Sequence, residues 1–180
     1  MTTPATPPAP APAQAAPSAP APASPTPASP APAGPRSLRQ RKDEALHRLE
    51  HDGDVWVATA DAQGTPCLVP LFFLWDGEAL WLSTRGTNPT GRNLRATGLL
   101  RACLGHTRDV VQIDGTARTL TAQELPTAIG DAFAAKGGWD PREDGPSYLW
   151  FRIQPHTIQA WGTVAELKER DLMREGQWIL

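Results

Sequence analysis

Cysteine, lysine and tyrosine are scarce in this 180-residue chain, and its first 35 residues carry no charged side chain at all. The two cysteines, Cys67 and Cys103, lie outside any C-x-x-C and have no histidine at metal-ligand spacing. That argues against a disulfide framework and a zinc site, and reads instead as two small buried hydrophobes. No apolar run approaches the length of a membrane span, and Met1–Pro35 lacks the basic segment and apolar core of an export signal. A net charge of −2 excludes a broad nucleic-acid footprint and a polybasic membrane anchor, though not a local cationic pocket. The expectation is a soluble cytoplasmic protein with neither nucleic acid nor membrane as partner. G-x-G-x-x-G, G-x-S-x-G and H-E-x-x-H are all missing, so any redox chemistry needs a cofactor to carry it.

What the first 35 residues do contain is 13 prolines and 12 alanines, with no aromatic, leucine, isoleucine or valine. Such a stretch cannot offset the entropy of ordering its backbone, so residues 1–35 are expected to be a disordered, semi-rigid Ala/Pro arm. Residues 36–180 are then one domain of ordinary size. Within it, Ser37 caps a helix to about Glu50, with Leu38, Ala45, Leu46 and Leu49 on one stripe. The period then changes to that of strands: Val55–Thr59, Pro66–Trp75, Ala79–Thr84, Leu99–Leu104, Val110–Leu120 and Ser147–Trp161. Asp61–Gly64 and Asp76-Gly77 are hairpin turns, and residues 105–109 form the link between the fourth and fifth strands. Pro66–Trp75 is apolar nearly throughout, which predicts cover on both faces. Pro155 predicts an edge position or a bulge. Asn88-Pro89 starts a short helix that fades near Gly98, and Thr121-x-x-Glu124 opens another that runs to about Lys136. Glu166–Leu180 reads as a short helix and a final extended piece around Trp178. About six strands joined by tight turns predict a mainly β, antiparallel barrel with flanking helices.

Ser83–Leu94 leaves a strand, passes hydroxyl, amide and guanidinium groups, and enters a helix start. Open N–H groups and the helix dipole favour an anion there, and Arg85 and Arg92 add two-pronged donors suited to phosphate. The bland alternative is a capped loop with solvated arginines, since arginine supplies 14 of the 17 basic residues. Arg108-Asp109 reads as a surface pair of little energetic weight. Seven tryptophans suit core packing for the most part, with Trp161 held open as a ring-facing residue. His47 and His51, one helical turn apart, lack a third ligand and read as a solvated face.

In their order, Val55–Asp61 (VWVATAD), Gly64-Thr65-Pro66, the long apolar strand, Leu82-Ser83-Thr84, Arg92-Asn93-Leu94 and Asp109–Ala117 (DVVQIDGTA) resemble the pyridoxamine 5'-phosphate oxidase-like flavin-binding family. The resemblance continues more weakly through Trp161-Gly162 and Arg170–Arg174. It implies a split β-barrel of Greek-key type, working as a homodimer with FMN, or in some branches a deazaflavin, in a groove between subunits. By position, Leu68, Val69, Pro70 and Leu71 would run beside the flavin ring. Ser83 and Thr84 would lie near the ribityl-phosphate, and the loop from Arg85 through Thr90 to Arg92 and Asn93 would hold the phosphate. Asp109 would reach the cofactor, and Trp161 and Arg170 would close the site from the other subunit. The family's oxidases carry a lysine where this chain has Pro89-Thr90, which leaves Arg85 or Arg92 to supply the charge. The oxidase's substrate-phosphate contacts have no counterpart here. The resemblance thus implies a flavin-dependent oxidoreductase acting on another small molecule, with a deazaflavin-dependent reductase or a non-catalytic flavin carrier as alternatives. A barrel that has lost its ligand and serves only to dimerise is a third possibility.

Overall fold

The computed structural model describes residues 34–180; the expected tail, 1–35, lies outside them except for Gly34 and Pro35. Ser37 opens helix α1 (Leu38–His51): its side chain accepts from the Gln40 N–H, and the Gln40 side chain accepts from the Ser37 N–H. This reciprocal pair satisfies donors that a helix start leaves open. Ala45 and Leu49 bury one stripe of α1, with Leu38 and Leu46 packed beside them.

Turn chemistry then folds the chain into hairpins. Strands β1 (Asp54–Ala60) and β2 (Pro66–Trp75) pair across a turn in which Asp61 Oδ1 accepts from the N–H groups of Gln63 and Thr65. Asp76 Oδ1 accepts from Glu78 and Ala79 in the same way before β3 (Leu80–Arg85). Helix α2 (Pro89–Thr97) has Pro89 at its start and ends on a left-handed Gly98. β4 (Leu99–His106) and β5 (Asp109–Leu120) are longer than expected, so only Thr107 and Arg108 separate them. Gly105, at φ 85°, adopts a left-handed conformation so close to the Asp109 carbonyl that no side chain fits.

Two expected helices change. Thr121 and Glu124 form half of their box, Glu124 Oε2 accepting from the Thr121 N–H at 2.8 Å and from its hydroxyl at 2.9 Å; the Glu124 N–H goes to the Thr121 carbonyl instead, and only a turn results. Pro126 would fall inside a helix begun at Thr121, where it has no N–H to give, so helix α3 starts after it, at Thr127–Gly137. Near the C-terminus, Val164–Glu169 is a 3-10 helix, followed by the short hairpin β7 (Asp171–Arg174) and β8 (Gln177–Trp178).

β6 (Tyr148–Trp161) makes the closure. The strands run β3-β2-β1-β4-β5-β6, and β6 returns to pair with β3, so six antiparallel strands close a split barrel with β7 and β8 added beyond β6. β6 is therefore interior, and Pro155 is accommodated by a bulge: the register passes from Asp114↔Thr157 to Gly115↔Pro155, leaving His156 as the extra residue. Alternation decides which side chains meet. Val57, Phe73, Leu82, Ile113, Phe151 and Ile153 belong to the main core. Trp81 and Trp150, on the opposite faces of β3 and β6, pack with Leu120, Leu125 and Phe133 in a second cluster that includes α3. Phe133 meets Trp150 edge-on, at 4.8 Å between centroids.

Three expectations about cover are corrected here. The second cluster reaches Phe72 and Leu74 on the outer face of β2, but Leu68 on the same face is 62 % exposed and Pro70 is exposed. Long apolar strands predict burial without saying by what, and this half of β2 has no cover among the described residues. The cysteines are only half-buried: Cys67 sits beside Thr90, and Cys103 lies opposite Trp56. Of the seven tryptophans, Trp75, Trp81 and Trp150 are core, whereas Trp56 is 50 % exposed.

Candidate functional site

The turn from β3 into α2 forms the first half of the site. The first backbone bond into α2 runs from Arg92 N–H to the Asn88 carbonyl, 2.9 Å, so the N–H groups of Thr90 and Gly91 have no backbone acceptor. Gly91 packs so tightly on the Arg85 carbonyl that any side chain there would collide with it. Arg85 and Arg92 are exposed, and Arg92 Nη1 donates to the Thr87 carbonyl. This donor set suits an oxyanion such as phosphate.

The other residues expected at this turn brace it. Asn93 Nδ2 donates to Thr59 Oγ1 at 3.1 Å, and both residues are buried. Ser83 Oγ donates to the Leu149 carbonyl at 3.2 Å, Asn88 Nδ2 donates to Thr84 Oγ1 at 3.0 Å, and Thr90 lies 3.5 Å from Cys67 Sγ. Thr84, Thr90 and Asn93 therefore fix α2 against the barrel, and Ser83 ties β3 to β6, all with side chains that are themselves buried.

Asp109, Trp161 and Arg170 gather far from that turn. β6 carries Leu149, opposite Thr84, near one end and Trp161, opposite Val110, at the other. The twelve intervening steps give a contour length of at most about 40 Å. The two groups therefore sit at opposite ends of β6. Arg170 lies 6.0 Å from the Trp161 ring centroid, and its carbonyl accepts from the Ala160 N–H at 2.9 Å.

Asp109 is held differently from the expectation of a surface pair with Arg108. Arg36 Nη1 donates to its Oδ1 at 2.8 Å and Arg48 Nη2 to its Oδ2 at 2.5 Å. Arg36 also bonds Glu166, which is 2 % exposed and accepts from the Gly162 N–H at 2.7 Å. The Arg36 guanidinium holds the Glu166 carboxyl down to about 2 against the opposing effect of burial, and the N–H groups of Arg36 and Gly162 add to the lowering. Arg36, Arg48 and Glu166 escaped sequence reasoning because nothing local marks a charge that will be paired 61 to 130 residues away.

Between the two groups lies the bare outer face. Trp56 pairs with Pro70 and Cys103, and Ala58 pairs with Leu68 and Arg101. Leu68 and Pro70 of the expected ring-facing run point outward, whereas Val69 and Leu71 share the face of Val57 and Val55. A hollow of about 370 Å³, lined among others by Arg48, Asp52, Trp56, Pro70, Cys103 and His106, opens beside this face. Burial pushes the Cys103 thiol up, so it is not a reactive thiolate. His47 and His51 stack at 4.1 Å between ring centroids. Among the described residues no three His, Cys, Asp or Glu side chains are grouped as metal ligands, and no helix is long and apolar enough to cross a membrane.

Comparison with known proteins follows this geometry. No curated protein sequence matches the chain. Among solved structures, the heme storage protein HutZ from Vibrio cholerae superposes with a TM-score of 0.55 at 18% identity, over 67% of this chain and 92% of that one. An F420 reductase superposes with a TM-score of 0.51 at 18% identity, over 62% of this chain and 93% of its own. General Stress Protein 26 from Bacillus anthracis gives a TM-score of 0.54 at 16% identity, over 67% of this chain and 94% of that one. At such identities the likeness shows the fold. The family model for pyridoxamine 5'-phosphate oxidase matches residues 42–162, more than half of the chain and nearly all of the barrel. With its closed antiparallel barrel and the short helix set after the third strand, the chain belongs to the pyridoxamine 5'-phosphate oxidase-like family.

Proposed function

We propose that this protein is a flavin-dependent oxidoreductase that acts on a small molecule and binds FMN between two copies of the chain. The observation that carries this reading is the bare apolar face of Trp56, Leu68 and Pro70, together with half-sites at opposite ends of β6. A two-fold pairing of these faces removes an exposed tryptophan and leucine from water. It also allows the Asp109–Trp161–Arg170 end of one copy to approach the α2 end of its partner.

In this reading the N–H groups of Thr90 and Gly91 and the Arg92 guanidinium hold the phosphate, and Arg85 is left beside Tyr148. Ser83, Thr84 and Asn93 keep the turn rigid, and the Leu68–Leu71 strand lies along the ring. Trp161 and Arg170 of the partner copy would close the site, with Asp109 positioned behind them by two arginines. Bound FMN supplies the hydride chemistry. A deazaflavin is the alternative cofactor, since the F420 reductase shares the fold.

A carrier of a planar cofactor is the second reading. It is favoured by the α2 turn, where Ser83–Asn93 holds no carboxylate, histidine or lysine to move a proton. Titrating the full chain with FMN and with a deazaflavin, and recording the mass and absorbance of any small molecule released on denaturation, tests both readings. Saturable binding that Arg92→Ala weakens by about tenfold without a change in melting supports the phosphate role. Colourless protein with no saturable binding of either cofactor overturns it. Rapid reduction of the bound flavin by a nicotinamide, followed by turnover on an acceptor, separates enzyme from carrier.

A further inference from the structure

Three guanidinium groups crowd the loop between β3 and α2. Arg85 ends the strand, Arg92 reaches back to Thr87, and Arg95 Nη1 lies 3.7 Å from where a Cβ on Gly86 would stand. Arg36, Arg48, Arg101, Arg142, Arg152 and Arg174 each pair with a carboxylate within 4.0 Å. Arg85, Arg92 and Arg95 have no such partner among the described residues, so positive charge collects around this loop uncompensated.

Aromatic rings adjoin that charge. Arg85 and Tyr148 face each other across β3 and β6, with the guanidinium carbon 5.3 Å from the ring centroid. Tyr148 meets Trp139 at 5.3 Å between centroids and 71° between planes. The Arg85 charge and the indole therefore lie no further apart than one Tyr148 ring allows. Trp139 is 40 % exposed, yet its N–H is already given to Asp144 Oδ2 at 2.8 Å. Only its ring surface is left to offer. The loop that carries it is tied down by Arg142, which donates to both Asp140 and Asp131 at 2.7–2.8 Å.

We propose that Trp139, Tyr148 and Arg85 form a subsite for a planar aromatic carboxylic acid. The ligand's ring lies on Trp139 and its carboxylate meets Arg85, with Arg95 adding positive potential. Asp144, at the indole edge, repels a carboxylate from that end and so fixes the ligand's direction. A neutral aromatic loses the charged contact, and an aliphatic acid loses the ring contact, so both features are required. The subsite goes beyond the flavin reading and does not need a bound flavin.

The test titrates the full chain with 2-naphthoate and with 2-naphthalenemethanol, in the absence and presence of FMN. The expected result is saturable binding of the acid, about tenfold tighter than the alcohol. Trp139→Leu weakens the acid by about tenfold, Trp139→Phe retains most of the binding, and Arg85→Met removes the preference for acid over alcohol. Both side chains are solvent-accessible, so thermal melts verify that the variants stay folded. No saturation at millimolar acid, equal affinity for acid and alcohol, or indifference to both substitutions overturns the proposal. It is also overturned if FMN competes with naphthoate and Trp139→Leu weakens both alike, because the surface then belongs to the cofactor. Naphthoate binding that persists in a protein unable to bind FMN counts against the flavin reading and supports the subsite.

Discussion

Arg36 and Glu166 stand 130 residues apart and meet through three hydrogen bonds: backbone N–H to Oε1 at 2.7 Å, Nε to Oε1 at 3.2 Å and Nη2 to Oε2 at 2.9 Å. Because the same guanidinium reaches Asp109, one side chain ties the entry to α1, the β4–β5 turn and the 3-10 segment after β6. Glu166→Ala leaves the mostly buried Arg36 charge without its main partner and is expected to cost about 3 kcal/mol in urea unfolding. The pH dependence follows from the sign of the shift. A carboxyl depressed in the folded state, from an ordinary 4.5 to about 2, stabilises fully above 4.5 and loses that contribution as pH falls from 4.5 through 2. Glu166→Gln should flatten the stability-versus-pH curve in that window, as measured by urea midpoints taken every half pH unit.

Lys136 presents the opposite situation. Its Nζ is buried without a hydrogen-bond partner, 4.5 Å from the Phe73 ring centroid, and burial lowers its pKa. Lys136→Met keeps the stem's packing and removes the desolvated charge together with its contact on the Phe73 ring, so it should stabilise by less than about 1 kcal/mol near neutral pH. The penalty exists only while the unfolded amine is charged. The gain should therefore shrink as pH rises toward and through 10.5, which denaturant melts across that range will show.

Gly91→Ala tests the tight α2 turn. A methyl at this position runs into the Arg85 carbonyl, which belongs to the backbone and cannot swing aside. Overpacking of this kind costs about 1–3 kcal/mol. The displaced helix start should also weaken FMN binding more than Arg95→Ala does, as read by flavin fluorescence titration.

Trp56→Asp together with Leu68→Asp places charge on the bare face without touching the core. If two copies pair there, light scattering and sedimentation should report a monomer where the parent chain is a dimer. FMN affinity should fall with the dimer, since each half-site loses the other. An unchanged mass would show that the apolar face has another occupant.

How far the sequence could be read depended on distance along the chain. Asp61, Asp76, Ser37 and the Asn88-Pro89 pair act on neighbours two to four residues away, and the turns and helix starts they predict are present. Pro155 predicted a local defect, and the bulge is there. Thr121 and Glu124 misled because a box signals a start only when the next turn can continue, and Pro126 prevents that. Closure of β3 on β6 and the grip of Arg36 on Glu166 join residues more than sixty positions apart, for which a single sequence holds no local signal. The exposed half of β2 failed for a further reason: hydrophobicity states that a surface avoids water, not that the same chain covers it.

The Arg36 contacts also bear on how much of the chain start the described fold depends on. Composition changes at the 35/36 boundary, but composition does not say whether the first charged residue is dispensable. The bonds do. A protease cut or a shortened chain that starts at Arg36 places an ammonium beside Glu166 and keeps the guanidinium in place, whereas one starting at Ser37 keeps the helix cap and loses the tie to both distant segments. Stability should therefore fall by about 3 kcal/mol across that single peptide bond and change little for cuts further upstream. Between Arg36 and Ser37 stability is expected to change in a step one residue wide.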